Sequence, residues 1–427
     1  MPASPSLLIV PARFKTGKLY TQIATTSAGV VLGSSGDFDV TRATTATTAT
    51  RFNSAGLIEP VASGIPRLDY YTSGGTAGCP ALLVEASGSN LLLQSEAFNT
   101  SDWTPVGLNA FGSGSVANST GTTDPFGATN ADYIQENASS GSHLILQTAP
   151  GQVSGTTYTF SCFAKSAERT RISFLNNAGG GANAAFNLSA GTATLGVGVS
   201  ALIQNYGNGW YRCILTYTAT ATASFNLHIR LADASGNTSY TGTGASGVYI
   251  FGAQVEVGSV ATSYIPTTTA SGTRNADVVT LSGAVSGCIG QTEGTIYLET
   301  DALISGASDL FCFARATTNT VSISKNGSNR IQAAVYTSGF VFSIAASGAV
   351  SGNLKIAVAY KSGESALYIN GVQIGTIATA FSFTAALTQI NINPNGFFEG
   401  NGNQRISALA LYTTRLTDAE LAALTTL

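Results

Sequence analysis

The chain has 427 residues, enough for two to three domains at roughly 150 residues each. Only 10% of residues are charged and 44% are hydrophobic, which excludes the intrinsically disordered class. The net charge is −3 with no Lys/Arg block, so electrostatic binding to nucleic acid is excluded, and no apolar run reaches the roughly 18 residues that a membrane-spanning helix needs.

Glycine is abundant (48 residues), and Thr, Ser and Ala fill long stretches. That mixture suits short strands joined by many turns and disfavours long helices. The first apolar stretch, residues 7–10, is short, is followed by Pro11, and does not read as a signal peptide. A protein released without one fits a particle that leaves its cell by lysis.

Five cysteines (Cys79, Cys162, Cys213, Cys288, Cys312) match no zinc spacing, and an odd number leaves at least one unpaired. Cys162 and Cys213 sit in alternating apolar segments. They are expected as buried thiols packing as small hydrophobes, with a disulfide between them as the alternative.

In chain order, three parts are expected. Residues 1–94 open with a strand at 18–23, followed by Gly/Ser turns at 33–36 and an alternating strand at 37–41. Thr41 to Thr50 is a low-complexity, β-branched run, and short apolar runs follow at 82–84 and 91–93. The core of this part is thin, so it is expected to anchor to a neighbouring chain.

Residues 95–268 carry strands at 158–164, 172–175, 210–217, 225–231 and 248–255, separated by turns such as Gly207-Asn208-Gly209. That spacing suggests a jelly roll. Residues 269–427 carry strands at 295–300, 354–360, 366–369, 372–374 and 406–412. Asn370-Gly371 between two of them is a type I′ hairpin signal. Thr417 and Glu420 form a capping box that starts a short terminal helix with Leu421 and Leu424 on one face. The expected fold class is all-β: a jelly roll and a second sandwich behind an irregular, β-rich N-terminal segment.

The ordered motifs carry a resemblance. Thr-Arg-Ala (41–43), Ala-Thr-Arg-Phe-Asn-Ser-Ala-Gly-Leu-Ile-Glu (49–59), Pro-Arg-Leu-Asp-Tyr (66–70), Leu-Leu-Val-Glu (82–85), Asn-Leu-Leu-Leu-Gln-Ser-Glu-Ala-Phe (90–98) and Trp103 resemble the N-terminal segment of tailed-bacteriophage tail or fibre-type proteins. Asn-Gly-Trp-Tyr-Arg (208–212), Phe-Gly-Ala-Gln-Val-Glu-Val-Gly (251–258) and Thr-Ser-Tyr-Ile-Pro-Thr (262–267) resemble a carbohydrate-binding-module jelly roll. Thr-Arg-Asn-Ala-Asp-Val-Val (273–279), Glu-Gly-Thr-Ile-Tyr (293–297), Leu-Tyr-Ile-Asn-Gly (367–371) and residues 411–421 resemble a concanavalin-A-like, laminin-G-like sandwich.

The resemblance implies a non-enzymatic, fibre- or spike-like protein on a virion surface. It would contact other virion proteins through residues 1–94, form a homo-oligomer (a trimer by analogy) and attach to a host-surface glycan. The alternatives are a capsid decoration or tail-assembly protein without a receptor, and a glycan-degrading enzyme.

For sugar stacking, the aromatic candidates are Trp103, Trp210, Tyr211, Tyr240 and Tyr249, with Tyr240 and Trp103 carried forward as the carbohydrate-binding pair. Trp210 opens an apolar strand and reads as core. Jelly rolls of the type resembled often hold a structural Ca²⁺ through carboxylates. Asp132 and Glu256 are the candidates, with Asp301 and Glu399 as alternatives. A retaining glycosidase needs paired carboxylates. Glu299 and Asp301 supply two positions of the Glu-x-Asp-x-x-Glu pattern, but the third is Ile304. The histidines, His143 and His228, lie in no Ser-His-Asp arrangement.

Overall fold

Segments such as 158–164 turn successive side chains to opposite faces of an antiparallel sheet, and every residue of that segment is buried because both faces are covered. The computed structural model describes residues 4–11, 14–20, 22–25, 29–32, 37–43, 49–109, 122–178, 181–282, 287–301, 310–316, 318–325, 330–348, 352–392 and 403–427. The chain is all-β and sandwich-built, with a single described helix, Asp418–Thr425.

The jelly roll is a six-stranded sheet facing a five-stranded one. The five-stranded sheet runs, edge to edge, Asp132–Gln135, Gly247–Val257, Thr157–Ser166, Trp210–Thr218, Val199–Asn205. Its inner face supplies Phe160, Cys162, Cys213, Leu215 and Val255 to a core that Phe174, Leu227 and Ile229 complete from the other sheet. The module is an insertion. Gly88–Asn90 pairs with Gly272–Arg274 and closes its neck.

The flanking segments form one sandwich together. Leu7–Ile9 and Ala81–Val84 both pair with Gln404–Tyr412 in a ten-stranded sheet, through Leu7↔Leu411 and Leu82↔Ile406. Phe38–Thr41 pairs with Val278–Ser282 in the facing nine-stranded sheet. One core holds Leu7, Phe38 and Leu82 beside Ile296, Ile390 and Leu409. This corrects the expectation of a separate, thin-cored N-terminal part: residues 269–427 complete its core. The strand expected at 18–23 is two strands, Lys18–Leu19 and Gln22–Thr25, one in each sheet. Most of the run from Thr41 to Thr50, residues 44–48, lies outside the described residues.

The short-range expectations hold. Asn370 (φ 49°) and Gly371 (φ 81°) make the hairpin turn between Ser365–Ile369 and Val372–Ile377. Thr417 accepts from Glu420 N at 3.3 Å, and Glu420 accepts from Thr417 N at 2.9 Å. The helix they cap buries Leu421 against Tyr368, Tyr412 and Leu416 on the outside of the ten-stranded sheet.

A buried ion network fastens the insertion to the sandwich. The fully buried Arg67 guanidinium pairs with Glu85 at 2.6 Å and with Asp277, and it donates to Ser263 Oγ at 2.8 Å. Asp277 also binds Arg42 at 2.8 Å, and Glu85 lies 3.3 Å from Arg274. Ser263 N and Oγ both donate to Glu85, at 2.7 and 2.6 Å. Burial alone would raise the Glu85 pKa, but Arg274 and Arg67 hold it down to about 2.

Arg67→Met leaves Glu85 and Asp277 short of a partner in the interior. It should cost about 3–5 kcal/mol, read as a lowered denaturant midpoint. In the wild type, the depressed Glu85 pKa contributes stability that is complete above the ordinary carboxylate value and is lost as the pH falls towards 2. The acid-unfolding limb of Arg67→Met should therefore be shallower.

Cys162 and Cys213 are directly opposite on neighbouring strands and both thiols are free, with burial pushing both pKa values up. Native labelling with a thiol reagent should modify the exposed Cys79 at once and reach Cys162 and Cys213 only on unfolding. The Cys312 side chain lies outside the described residues.

Candidate functional site

The outward face of the five-stranded sheet sets the site. In Trp210–Thr218, Tyr211, Cys213, Leu215 and Tyr217 turn into the jelly-roll core. Trp210, Arg212, Ile214 and Thr216 therefore turn outward. On Val199–Asn205, Val199, Ala201 and Ile203 pack inward, leaving Ser200, Leu202 and Gln204 outside.

The middle of this face is covered from the sandwich side. Phe52 and Ile58 pack on Phe163, Trp210, Phe251 and Tyr264. At the Val199–Asn205 edge the cover leaves a cleft of about 310 Å³ between the two modules. Tyr71 comes from the sandwich side and Tyr206 from the jelly roll, with ring centroids 4.9 Å apart at 37°. Leu202, 51% exposed, Ile214 and Val260 add apolar wall.

The charges around the cleft are engaged with one another. Asp69 pairs with Arg405 at 2.8 Å and accepts from Phe52 N at 2.7 Å. Burial pushes the Asp69 pKa up, against the pull of Arg405. Arg405 also lies 3.2 Å from Asp301, and its guanidinium stands 5.6 Å from the centre of the Tyr71 ring. Arg212 donates to Thr262 O at 2.7 Å and Ser161 Oγ at 3.0 Å. Burial raises the Tyr71 and Tyr206 pKa values, so both remain neutral phenols. Ser200 and Gln204 line the cleft with side chains that have no hydrogen-bond partner among the described residues. The cleft thus offers tyrosine rings, aliphatic wall and neutral hydrogen-bonding groups, with its ions already satisfied.

The residues singled out from sequence lie elsewhere. Trp103 is 3% exposed, packs on Phe98 at 4.6 Å and donates to Gln94 O at 3.1 Å, so it has no free face for a sugar. Tyr240 is half-buried. Its hydroxyl donates to Glu136 at 2.6 Å, and its ring lies 4.7 Å from the His143 ring and 4.9 Å from the Arg169 guanidinium. Trp103 is thereby corrected as a sugar platform, because the core covers its ring; Tyr240 keeps a half-exposed ring whose hydroxyl is taken by Glu136. Trp210 is core, as expected. Tyr71 and Tyr206 were missed. The only local hint was a tyrosine beside a glycine-rich turn, Tyr206-Gly207-Asn208-Gly209.

The expected calcium ligands do not converge. Asp132 lies opposite Ile250, and Glu256 is six residues further along that same strand, or roughly 20 Å. Glu256 accepts from Thr262 N at 2.9 Å and Gln254 Nε2 at 2.6 Å. Asp301 is engaged by Arg405, and Glu399 lies outside the described residues. Among the described residues no group of three or more His, Cys, Asp or Glu could hold a metal ion. The two carboxylates therefore do not fit a shared calcium ion. Glu299 accepts from Tyr297 Oη at 3.1 Å, and Ile304 lies outside the described residues. His143 is buried beside Gly107 O and Tyr240 O, and burial lowers the His228 pKa.

Asp132 is instead a buried carboxylate. Its Oδ2 accepts from Phe98 N at 3.0 Å, while Oδ1 has no partner among the described residues. Burial raises its pKa from 3.8 to about 6. A raised carboxylate favours the folded state fully below the unfolded value and loses that contribution as pH climbs through the folded one. Asp132→Asn should therefore stabilise the protein by up to about 3 kcal/mol at pH 7, with most of the gain gone by pH 4, checked by thermal melts across that range.

No protein family and no curated protein matches the sequence. Solved structures similar to part of the chain include the CBM40 of an IT-sialidase from Ruminococcus gnavus, bound to α2,6-sialyllactose. Identity to it is 16%, over 32% of this chain and 84% of that one, with a TM-score of 0.28. Domain 4 of AbnA, a GH43 extracellular arabinanase from Geobacillus stearothermophilus, is 16% identical over 35% of this chain and 73% of that one, with a TM-score of 0.29. The heptameric SAP-like pentraxin of Limulus polyphemus is 12% identical over 31% and 70%, with a TM-score of 0.26. These likenesses cover about a third of the chain and assign neither family nor ligand to it.

Proposed function

We propose that the protein is a non-enzymatic glycan-binding protein whose ligand enters the cleft between the jelly roll and the sandwich. The carrying observation is the chemistry of that cleft: paired tyrosine rings and aliphatic wall beside unsatisfied Ser200 and Gln204, with Asp69 and Arg405 neutralising each other. A sugar has apolar ring faces and a belt of hydroxyls, so it matches such a surface. A free ion would find no unpaired countercharge there. The volume of about 310 Å³ falls at the small end of the range of roughly 300–1,000 Å³ typical of ligand sites, which suits one or two sugar rings.

The ordered motif resemblance supports a place on the surface of a tailed-phage particle. There the protein would contact other virion proteins and display the cleft to a host-surface glycan, as a homotrimer. Native mass spectrometry is expected to give the trimer; a stable monomer would count against it.

Leu202→Arg fills the cleft from an exposed position and leaves both cores untouched. On a glycan array it should lose cleft-dependent ligands of the wild type by at least about tenfold, or 1.4 kcal/mol. A pattern of binding identical to the wild type would overturn the cleft assignment. A wild-type protein silent on the array would favour a purely structural role in the particle.

A further inference from the structure

The cover formed by Phe52 and Ile58 spans only the middle of the sheet face, and the aromatic cluster beneath it continues through the half-buried Tyr249 to Tyr133 at the other edge. Tyr133 on the edge strand lies opposite Tyr249, and Tyr249 lies opposite Lys165 on the next strand. All three are half-exposed. The two rings are 5.1 Å apart at 49° and form a shallow angled ledge.

Glu168 borders this ledge from the exposed end of the neighbouring turn. Tyr133 Oη donates to its Oε2, which also accepts from Gly247 N at 3.3 Å. The carboxylate is therefore held in a set orientation. Its Oε1, the Tyr249 hydroxyl and Lys165 Nζ have no partner among the described residues. Ring faces, a fixed acceptor and a hydroxyl thus border one surface, while the Lys165 stem runs away from it over Gly209. A neutral polyol can stack on the rings and donate to the carboxylate, whereas an anion would meet a like charge.

We propose that this ledge is a second saccharide subsite, distinct from the cleft, which takes a neutral sugar ring. The ring stacks on Tyr249 with Tyr133 as its side wall. One hydroxyl donates to Glu168 Oε1. The ledge and the cleft occupy opposite edges of one five-stranded sheet, four strand spacings or roughly 19 Å apart, so each can be filled alone. The proposal does not depend on the cleft being a glycan site.

The test uses the full chain carrying Leu202→Arg, so that the cleft is closed, on an array of neutral hexose, pentose and N-acetylhexosamine oligosaccharides. Binding should persist. Added to that background, Tyr249→Ala should weaken it by about tenfold, and Glu168→Gln, an exposed change that spares the fold, by a comparable factor. An unchanged melting temperature shows that each variant is folded. Persistent binding with both added variants, or no neutral oligosaccharide bound in the Leu202→Arg background, would overturn the ledge. Loss of cleft ligands in Leu202→Arg alone bears only on the cleft, so the two readings fail separately.

Discussion

The arrangement of this protein depends on the buried guanidinium of Arg67. It sits where three segments distant in sequence meet: residues 42–85, the 262–263 turn of the inserted jelly roll, and residues 274–277. Arg42, Arg67 and Arg274 bring three positive charges into the interior, and Glu85 and Asp277 pair with them. Desolvating ions is costly, and mutual pairing offsets the cost only when every partner is present and well placed. A shifted insertion would strand a charge. The network therefore selects one position of the jelly roll over the sandwich and with it the width of the cleft.

Both candidate sites follow from that position. A jelly-roll sheet has one face for its own core and one face for something else. Here the short hairpin of Thr50–Phe52 and Ile58–Pro60 covers the centre of the second face, and its Phe52 and Ile58 make an aromatic junction with Phe163, Trp210 and Tyr264. What remains uncovered is an edge on each side. One edge meets the sandwich and becomes a cleft with Tyr71 and Tyr206; the other stays open as the Tyr133–Tyr249 ledge. Tyr133 and Tyr249 are presented from paired strands, so their spacing is set by backbone geometry, whereas Tyr71 and Tyr206 lie just beyond Leu68–Asp69 and Val199–Asn205 and are held by packing on Phe52 and on each other.

The same division separates what could be read locally from what could not. Alternation located the strands around Tyr158, Ile172, Trp210 and Thr295, and it placed Trp210 in an interior. It could not rank exposed aromatics. Trp103 and Tyr240 are polar-flanked in sequence, yet one is packed on Phe98 and the other is held by Glu136, His143 and Arg169. Asp132 and Glu256 are calcium candidates only through the resemblance to jelly rolls that hold the ion, and in the structure one is solitary and the other is tied to Thr262 and Gln254.

By itself the sequence determined the all-β class, the Asn370-Gly371 turn and the Thr417–Glu420 cap. Each of these depends on residues within a few positions of one another, where backbone sterics and local hydrogen bonds decide. Only the tertiary structure decided that residues 1–94 share sheets and a core with residues 269–427, that the jelly roll is inserted, and that Tyr71 meets Tyr206. Those outcomes rest on which strand edges pair and which buried charges find partners. Both depend on contacts between distant segments, and no short-range pattern encodes them.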